Sequence, residues 1–163
     1  MGLSIQPLDQ TYNLKNFNCG NSDLNSWLQN TARQHQKKDL SRTFVMVRDS
    51  LPTIIIGYYS LAIRALVSKE ALPQALQKGL PLNVPAMMVA RLAVACQEQK
   101  QGYGELLLLD AMAQAKVASR IIGGRFLFVD AKTTELAVFY ARYGFVALPD
   151  NPLSLCMLIA GIP

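Results

Sequence analysis

Two glycines stand where a loop passes into a helix. The stretch Gln99-Lys100-Gln101-Gly102-Tyr103-Gly104 is followed by Glu105, where we expect the helix to begin. Glycine removes side chains at the turn, so several backbone N–H groups can point at one anion. No Gly-Lys-Ser/Thr triad follows, and Leu107 stands where a dinucleotide-binding fold has its third glycine. The spacing predicts a pyrophosphate-binding loop of neither of those kinds, with a glycine turn that merely caps a helix as the alternative.

A phenol further along the chain could supply a proton. Tyr140 lies in the segment Phe139-Tyr140-Ala141-Arg142-Tyr143-Gly144-Phe145, one turn after Leu136. With a pKa near 10, a tyrosine is protonated at neutral pH and can donate to a departing thiolate. The alternative is an aromatic core residue on a helix.

A general base is harder to find. His35 is the single histidine and lies far from the loop in sequence, so we interpret it as a surface or RNA-facing side chain. Cys96 has no base partner nearby, and lone cysteines of this kind are usually inert. No residue with the partner that an activated base or nucleophile requires is therefore recognisable in the sequence.

The elements that must position these residues alternate between helices and strands. Trp27 is expected in the core, on a helix that is capped near Asn21 or Ser22. Gly57 predicts a bulge or bend in a strand. The pattern predicts an α/β (α+β) fold with a mixed central sheet flanked by helices. The predicted segments are helix Thr31–Asp39, hairpin Arg42–Val47 with Thr53–Ala62, a short helix and loop within Leu66–Asn83, strand Met87–Val94, the helix after Gly104, strand Arg125–Ala131, a helix from Thr133 or Thr134 to Tyr143, and strand Leu153–Ile159.

Composition favours one domain that spans residues 1–163, since 51% hydrophobic content is enough for a substantial core. The apolar runs are shorter than the roughly 18 residues of a membrane span, and no signal-like apolar core stands at the N-terminus. We therefore expect a cytoplasmic protein without membrane contact. The three cysteines are widely spaced, which argues against a disulfide framework and a zinc site.

The basic excess is moderate and partly clustered. A net charge of +5 favours an anionic partner, either a phosphorylated small molecule or nucleic acid. Arg33, Lys37, Lys38 and Arg42 are interleaved with polar residues. This segment is either a solvated helix face or a patch that contacts phosphates.

Three landmarks in order carry a resemblance to the GNAT N-acetyltransferases. Gln99, Gly102 and Gly104 fit the Gln/Arg-x-x-Gly-x-Gly/Ala signature of that family, Ala90–Val94 resembles its strand before the loop, and Phe139–Phe145 its closing corner. The resemblance implies an acetyl-CoA-dependent enzyme without a metal, in which two central strands splay apart. It implies that Tyr140 protonates the leaving thiolate and that the Val94 N–H stabilises the oxyanion. The implied cofactor-binding residues are Leu92, Ala93, Val94, Gln99, Lys100, Gln101, Gly102, Tyr103, Gly104 and Glu105.

Further landmarks are similar to one branch of that superfamily, the toxins of type II toxin–antitoxin pairs that acetylate the amino acid carried by a charged tRNA. The segments are Phe17-x-Cys19-Gly20, Leu24-x-x-Trp27-Leu28, Arg42–Val45, Gly57-Tyr58-Tyr59-x-Leu61-Ala62, Ala90–Val94 and Phe139-Tyr140. Ala95 departs from the branch, where an acidic residue is expected. Gln99 replaces an arginine that the signature also permits.

The resemblance implies that the α-amine of aminoacyl-tRNA attacks the thioester directly, which blocks translation. It also implies a ribbon-helix-helix antitoxin, operator DNA bound through the antitoxin complex, and a homodimer. Arg91 is the least certain of the candidate tRNA contacts because it lies within a central strand. Those candidates are Arg33, Lys37, Lys38, Arg42, Arg64 and Arg91.

Two alternatives remain on the sequence. One is an ordinary GNAT enzyme that acetylates a protein or a small-molecule amine. The other is a binding protein that keeps the fold without the activity. The intact Gln99, Gly102, Gly104 and Tyr140 argue against the second.

Overall fold

Seven strands form one mixed sheet in the order β1-β2-β3-β4-β5-β7-β6, flanked by helices, in a computed structural model that describes residues 2–163. β4 and β5 are parallel, while the pairs β1-β2, β2-β3, β5-β7 and β6-β7 are antiparallel. The predicted α/β class is confirmed. The elements are β1 (Leu3–Pro7), α1 (Ser22–Asn30), α2 (Ala32–Lys37), β2 (Arg42–Arg48), β3 (Leu51–Ser68), β4 (Asn83–Val94), α3 (Tyr103–Ile122), β5 (Phe126–Asp130), α4 (Thr134–Ala141), β6 (Val146–Leu148) and β7 (Asn151–Leu158).

The segment after β3 differs most from its prediction. β3 continues to Ser68, and the expected short helix is replaced by two 3-10 turns at Lys69–Ala71 and Gln74–Leu76. Pro73 separates the two turns and, with its ring in place of an N–H, prevents them from joining into one helix. Leu72, fully buried, anchors the segment instead.

The predicted irregularity at Gly57 is a β-bulge. Met46 pairs with Gly57 and Val47 with Ile55, so Ile56 has no partner of its own on β2. A Cβ at Gly57 would lie 2.8 Å from the Ala93 oxygen, too close for any side chain. Glycine is therefore required where β3 approaches β4.

Local capping explains where two helices begin. The Asn21 side chain accepts a 3.1 Å hydrogen bond from the Leu24 N–H at the start of α1. The Thr133 hydroxyl does the same for the Leu136 N–H at the start of α4, at 3.2 Å. Both predicted caps are confirmed. α4 is shorter than predicted, because its last turn closes with a bond from the Gly144 N–H to the Ala141 oxygen.

The described chain divides into two compact units, each with its own core. The first unit comprises the residues up to Ala62 together with Arg91–Ala111, and its core includes Trp27, Tyr58 and Ala93. The second comprises Ile63–Ala90 and Met112–Pro163, with Phe126 and Phe128 in its core. That residues 1–163 form a single domain stays a prediction. None of the described helices is long and apolar enough to span a membrane.

Candidate active site

The glycine loop presents a row of free amide groups at the start of α3. The helix begins at Tyr103, two residues before the predicted Glu105, and its first intrahelical bond from this end runs from the Leu106 N–H to the Gly102 oxygen. Among residues 2–163, no backbone hydrogen bond is donated by an N–H of residues 101–105. Free N–H groups at a helix N-terminus carry partial positive charge and bind anions. These N–H groups are therefore available to an anion.

The backbone of the loop explains its glycines. Lys100 and Gly102 both have positive φ, at 64° and 84°. A Cβ at Gly102 would meet nothing within 4 Å, and one at Gly104 would reach only the Val94 Cγ2, at 4.0 Å. The space beside both glycines is therefore open. Lys100, Gln101 and Glu105 are exposed at its margin.

Gln99 ties this loop to the strand before it. Its Nε2 donates to the Val94 oxygen at 2.9 Å and to the Cys19 oxygen at 3.0 Å. The side chain therefore fixes the end of β4 and the loop that precedes α1 at the same time. Gln99 therefore has a bracing role, because its amide N–H groups are used in hydrogen bonds to backbone carbonyls of the chain.

The end of β4 turns the Val94 amide outward. The Ala95 N–H donates to the oxygen of the bulge residue Ile56 at 2.7 Å, so it points at β3. Because backbone groups alternate in direction along an extended strand, the N–H of Val94 points away from β3. The parallel register of β4 with β5 covers Ala86–Val89, and β4 then continues to Val94. Leu92 and Val94 are partly buried and Ala93 is buried.

An ion pair beside the loop was not predicted from the sequence. Arg48 donates two hydrogen bonds to the Glu98 carboxylate, at 2.8 and 2.7 Å, and its Nη2 lies 3.5 Å from the Tyr103 hydroxyl. The Arg48 guanidinium holds the pKa of Glu98 below its ordinary value. The pair secures the 3-10 turn Cys96–Glu98 that leads into the loop. Since 50 residues separate Arg48 from Glu98, no local spacing could have signalled it.

A cavity of about 510 Å³ opens next to the same turn. Its wall includes Phe17, Ile55 and Cys96, as well as Arg48 and Glu98. None of the residues predicted for the site lines it.

Tyr140 lies in the second unit on α4. The residue is 8% exposed, with its ring against Phe139 and Phe145 at centroid distances of 5.3 and 5.9 Å. Its hydroxyl makes no hydrogen bond to any residue of the described chain. Burial raises the pKa of Tyr140 to about 12. The phenol is therefore both an aromatic core residue and a fully protonated donor at neutral pH.

The candidate tRNA contacts differ in how far their charges are already engaged. Arg33 donates to the Tyr12 oxygen at 2.9 Å, and Arg42 to the Gln36 oxygen at 2.8 Å and to Asp39 at 2.7 Å. Arg64, in the second unit, lies 3.5 Å from Asp130 and over the Phe128 ring. Lys37 and Lys38 are exposed at the end of α2, and their side chains make no hydrogen bond or ion pair with the described chain.

Arg91 is placed differently from the others. Its guanidinium carbon lies 4.2 Å from the centroid of the Trp27 ring. His35 meets the same ring edge-on at 5.6 Å and is partly buried, so its predicted surface position is only partly right. Trp27, expected in the core, is buried there.

Comparison with known proteins decides the family. No protein-family model matches the chain. A Mycobacterium tuberculosis (strain ATCC 25618 / H37Rv) protein named tRNA-acetylating toxin is 33% identical over 143 residues, which are 88% of this chain and 84% of that protein. The chain belongs to the GNAT family of tRNA-acetylating toxins. Another member of this toxin family, the probable toxin TacT of Sinorhizobium fredii (strain NBRC 101917 / NGR234), is 28% identical over 97% of this chain and 92% of its own.

Solved structures of toxins in this family share the fold. A tyrosine-to-phenylalanine mutant of KacT gives a TM-score of 0.91 at 28% identity, covering 99% of this chain and 98% of its own. AtaT complexed with acetyl-methionyl-tRNAfMet gives 0.90 at 30% identity, covering 98% and 96%. An AtaT tyrosine-to-phenylalanine mutant bound to acetyl-CoA and to the C-terminus of its antitoxin AtaR gives 0.82 at 28% identity, covering 99% and 96%.

Proposed function

We propose that this toxin transfers the acetyl group of acetyl-CoA to the α-amino group of an amino acid carried by tRNA, with Tyr140 as the general acid, and so stops translation. The observation that carries the proposal is the row of free amide groups at residues 101–105 on a chain of the tRNA-acetylating toxin family. The family relation indicates the acetyl acceptor, aminoacyl-tRNA, and the free amide groups indicate where the acetyl donor, acetyl-CoA, binds.

Acetyl-CoA is the acyl donor, and the loop residues fit its pyrophosphate. The free N–H groups and the open space at Gly102 and Gly104 suit a doubly charged group without a metal ion. The N–H groups that β4 turns away from β3, at Leu92 and Val94, can pair with an extended amide-containing arm. Lys100 adds a positive charge at the margin of the loop.

Acyl transfer forms a C–N bond and breaks the C–S bond. The neutral α-amine attacks the thioester carbonyl, and the Val94 N–H stabilises the charge that gathers on the oxygen. The phenol of Tyr140 gives its proton to the leaving thiolate. The amine then releases one proton to solvent, and the Tyr140 phenolate takes up one proton from solvent. The tyrosine-to-phenylalanine mutants prepared for KacT and AtaT agree with a tyrosine in this role.

An α-amine as the acetyl acceptor is consistent with the absence of a recognisable general base among the candidate site residues. An α-amine with a pKa of about 7.7 to 8.0 is substantially neutral at physiological pH, unlike a lysine side chain. Ala95 cannot supply the carboxylate that the branch resemblance led us to expect, so attack depends on the intrinsic basicity of the amine. The cations around α2, Lys37 and Lys38 above all, suit the phosphates of the tRNA.

Partners follow from the same relation. KacT has been solved with its antitoxin partner on DNA, as the KacTA-DNA complex, at a TM-score of 0.79 and 27% identity to this chain. We infer that this toxin binds an antitoxin of the ribbon-helix-helix type, reaches operator DNA only through that complex, and forms a homodimer. An enzyme that acts on charged tRNA works in the cytoplasm, where translation takes place.

Incubation with labelled acetyl-CoA and total charged tRNA tests the proposal. Label should enter the aminoacyl end of one or a few tRNAs and be released with the amino acid by mild alkali. A parallel reaction contains uncharged tRNA, a lysine-rich protein and free amines. Label in the protein or the free amines, with none in charged tRNA, would show an ordinary GNAT enzyme instead.

A further inference from the structure

Arg91 stands apart from the other partly buried arginines. Arg33, Arg48 and Arg64 each have an oxygen of the chain within hydrogen-bonding or ion-pair distance. Within residues 2–163, the side chain of Arg91 donates no hydrogen bond and forms no ion pair. Its guanidinium fork is therefore available, although the residue itself is partly buried on β4.

The Arg91 guanidinium also lies against an aromatic ring, with its central carbon 4.2 Å from the Trp27 centroid. A guanidinium that stacks on an aromatic ring keeps its N–H groups in a plane parallel to that ring. The ring of Trp27 is itself fixed, because Tyr58 stacks on it with an interplanar angle of 9° and His35 abuts it edge-on at 82°. Because a fixed ring supports it, the Arg91 guanidinium should lose little further side-chain entropy when it binds a partner.

The partly buried guanidinium of Arg91 lacks an anionic partner in the described chain, which favours binding of an external anion. Burial lowers the pKa of Arg91 from its ordinary value, and Tyr58 only partly offsets the effect. A partly buried charge without a partner costs free energy, which a bound anion would recover. The ring contact between Trp27 and His35 links the fork to α2, the helix that ends in the exposed Lys37 and Lys38. The positive charges of Lys37 and Lys38 suit a chain of phosphates better than a single carboxylate.

We propose that the Arg91 guanidinium, held on Trp27, donates to one backbone phosphate at the acceptor end of the charged tRNA and makes the enzyme select a nucleotide-linked amine over a free one. This inference rests on the proposed function. Arg91 precedes Val94 by three residues on β4, about 10 Å along an extended strand. One ribose and one ester separate the terminal phosphate from the α-amine, a span that allows both ends to be held at once.

The test compares Arg91→Gln with the wild type on two acceptors, charged tRNA and the methyl ester of the same amino acid. The ester keeps the α-amine and lacks the phosphate. Arg120→Gln is the matched control, because Arg120 is exposed on α3 and its side chain makes no hydrogen bond or ion pair with the described chain.

We expect Arg91→Gln to raise the KM for charged tRNA by about tenfold to a hundredfold, as the loss of one charged hydrogen-bond pair predicts. The KM for acetyl-CoA and the kcat/KM for the ester should stay within about twofold of the wild type. The slope of log kcat/KM for charged tRNA against log salt should become less steep by about 0.7 to 0.9, the share of one phosphate. Arg120→Gln should change none of these values.

An equal loss on both acceptors, or an unchanged salt slope, would overturn the inference and make Arg91 a packing residue. If Arg91→Gln does not fold, Arg91→Met keeps the aliphatic stem on Trp27 and removes the charge, and the same comparison applies. Failure of the wild type to acetylate any charged tRNA would instead refute the proposed function. The two failures are therefore distinguishable.

Discussion

The side chain of Gln99 donates a 2.9 Å hydrogen bond to the backbone oxygen of Val94, so the residue that opens the glycine loop also holds the end of β4. A second bond from the same nitrogen reaches the Cys19 oxygen. Both carbonyls precede Gln99 in the sequence, Val94 by five residues and Cys19 by 80. One amide therefore fixes both the start of the glycine loop and the end of β4.

Replacement of this amide should weaken cofactor binding without removing the fold. Gln99→Glu places a carboxylate against two carbonyl oxygens and brings negative charge next to the pyrophosphate site. We expect the Kd for acetyl-CoA, measured by calorimetry, to rise at least tenfold. Gln99→Arg retains N–H donors for both carbonyls and should stay within about threefold of the wild type. Equal affinity of the Glu variant and the wild type would contradict the bracing role.

The two loop glycines should fail for different reasons. Gly102 has a φ of 84°, so Gly102→Ala is strained by about 1–2 kcal/mol. Gly79 has a similar φ of 78° and open space around it, so Gly79→Ala is a matched control for that strain. Both variants should lower the thermal midpoint alike, and only Gly102→Ala should also weaken acetyl-CoA binding.

A substitution at Gly104 tests the effect of an added side chain on binding without the backbone strain that applies at Gly102. It does not have a positive φ, and an added Cβ would come no closer than 4.0 Å to Val94. Gly104→Ala should leave the thermal midpoint unchanged or raise it, because alanine favours the helix by up to about 1 kcal/mol. The methyl group would nevertheless cover the free N–H groups, and the Kd for acetyl-CoA should rise about tenfold or more. A variant that binds acetyl-CoA as the wild type does would remove the loop from the binding site.

The sequence could predict the elements whose signals are local. The turn chemistry at Gly102, the caps at Asn21 and Thr133, and the bulge at Gly57 each depend on residues a few positions apart. The Arg48–Glu98 pair and the stack of Arg91 on Trp27 depend on distant segments that the sheet brings together. For the same reason the sequence placed Arg91 among the basic candidates without distinguishing its free fork from the engaged guanidinium groups of Arg33 and Arg42.

Removal of the Tyr140 hydroxyl should abolish chemistry and spare binding. Tyr140→Phe keeps the ring against Phe139 and Phe145 and deletes a hydroxyl that has no hydrogen-bond partner in the described chain, so stability should change by less than about 1 kcal/mol. The rate of acetyl transfer should fall about 100-fold to 10,000-fold. Growth arrest on expression should be lost, while acetyl-CoA still binds. Tyr12→Phe, at a partly buried tyrosine outside the proposed site, is the control, and unchanged toxicity of Tyr140→Phe would exclude the phenol from the mechanism.

The pH dependence should report the amine and not the phenol. Burial raises the pKa of Tyr140 to about 12, so its protonated, donating form persists at every pH below that value. The α-amine must lose its proton, so the rate should rise with pH up to about 7.7 to 8.0 and then level off to pH 10. Initial rates on an amino-acid amide, which resists alkaline hydrolysis, would show this profile. A fall in rate with a midpoint well below pH 10 would point to a more acidic proton donor than Tyr140.

The exposed lysines at the end of α2 should contribute affinity that depends on salt. The double variant Lys37→Glu/Lys38→Glu reverses two charges that have no hydrogen bond or ion pair with the described chain, so the fold should keep its stability within about 0.5 kcal/mol. The Kd for tRNA should rise, and its log–log salt slope should become less steep by about 1 to 2, because fewer counterions are released. Lys78→Glu, a reversal at another exposed lysine outside the predicted set, controls for net charge. Filter binding between 50 and 200 mM salt would separate the cases, and a double variant with the slope of Lys78→Glu would assign the end of α2 to plain solvated surface.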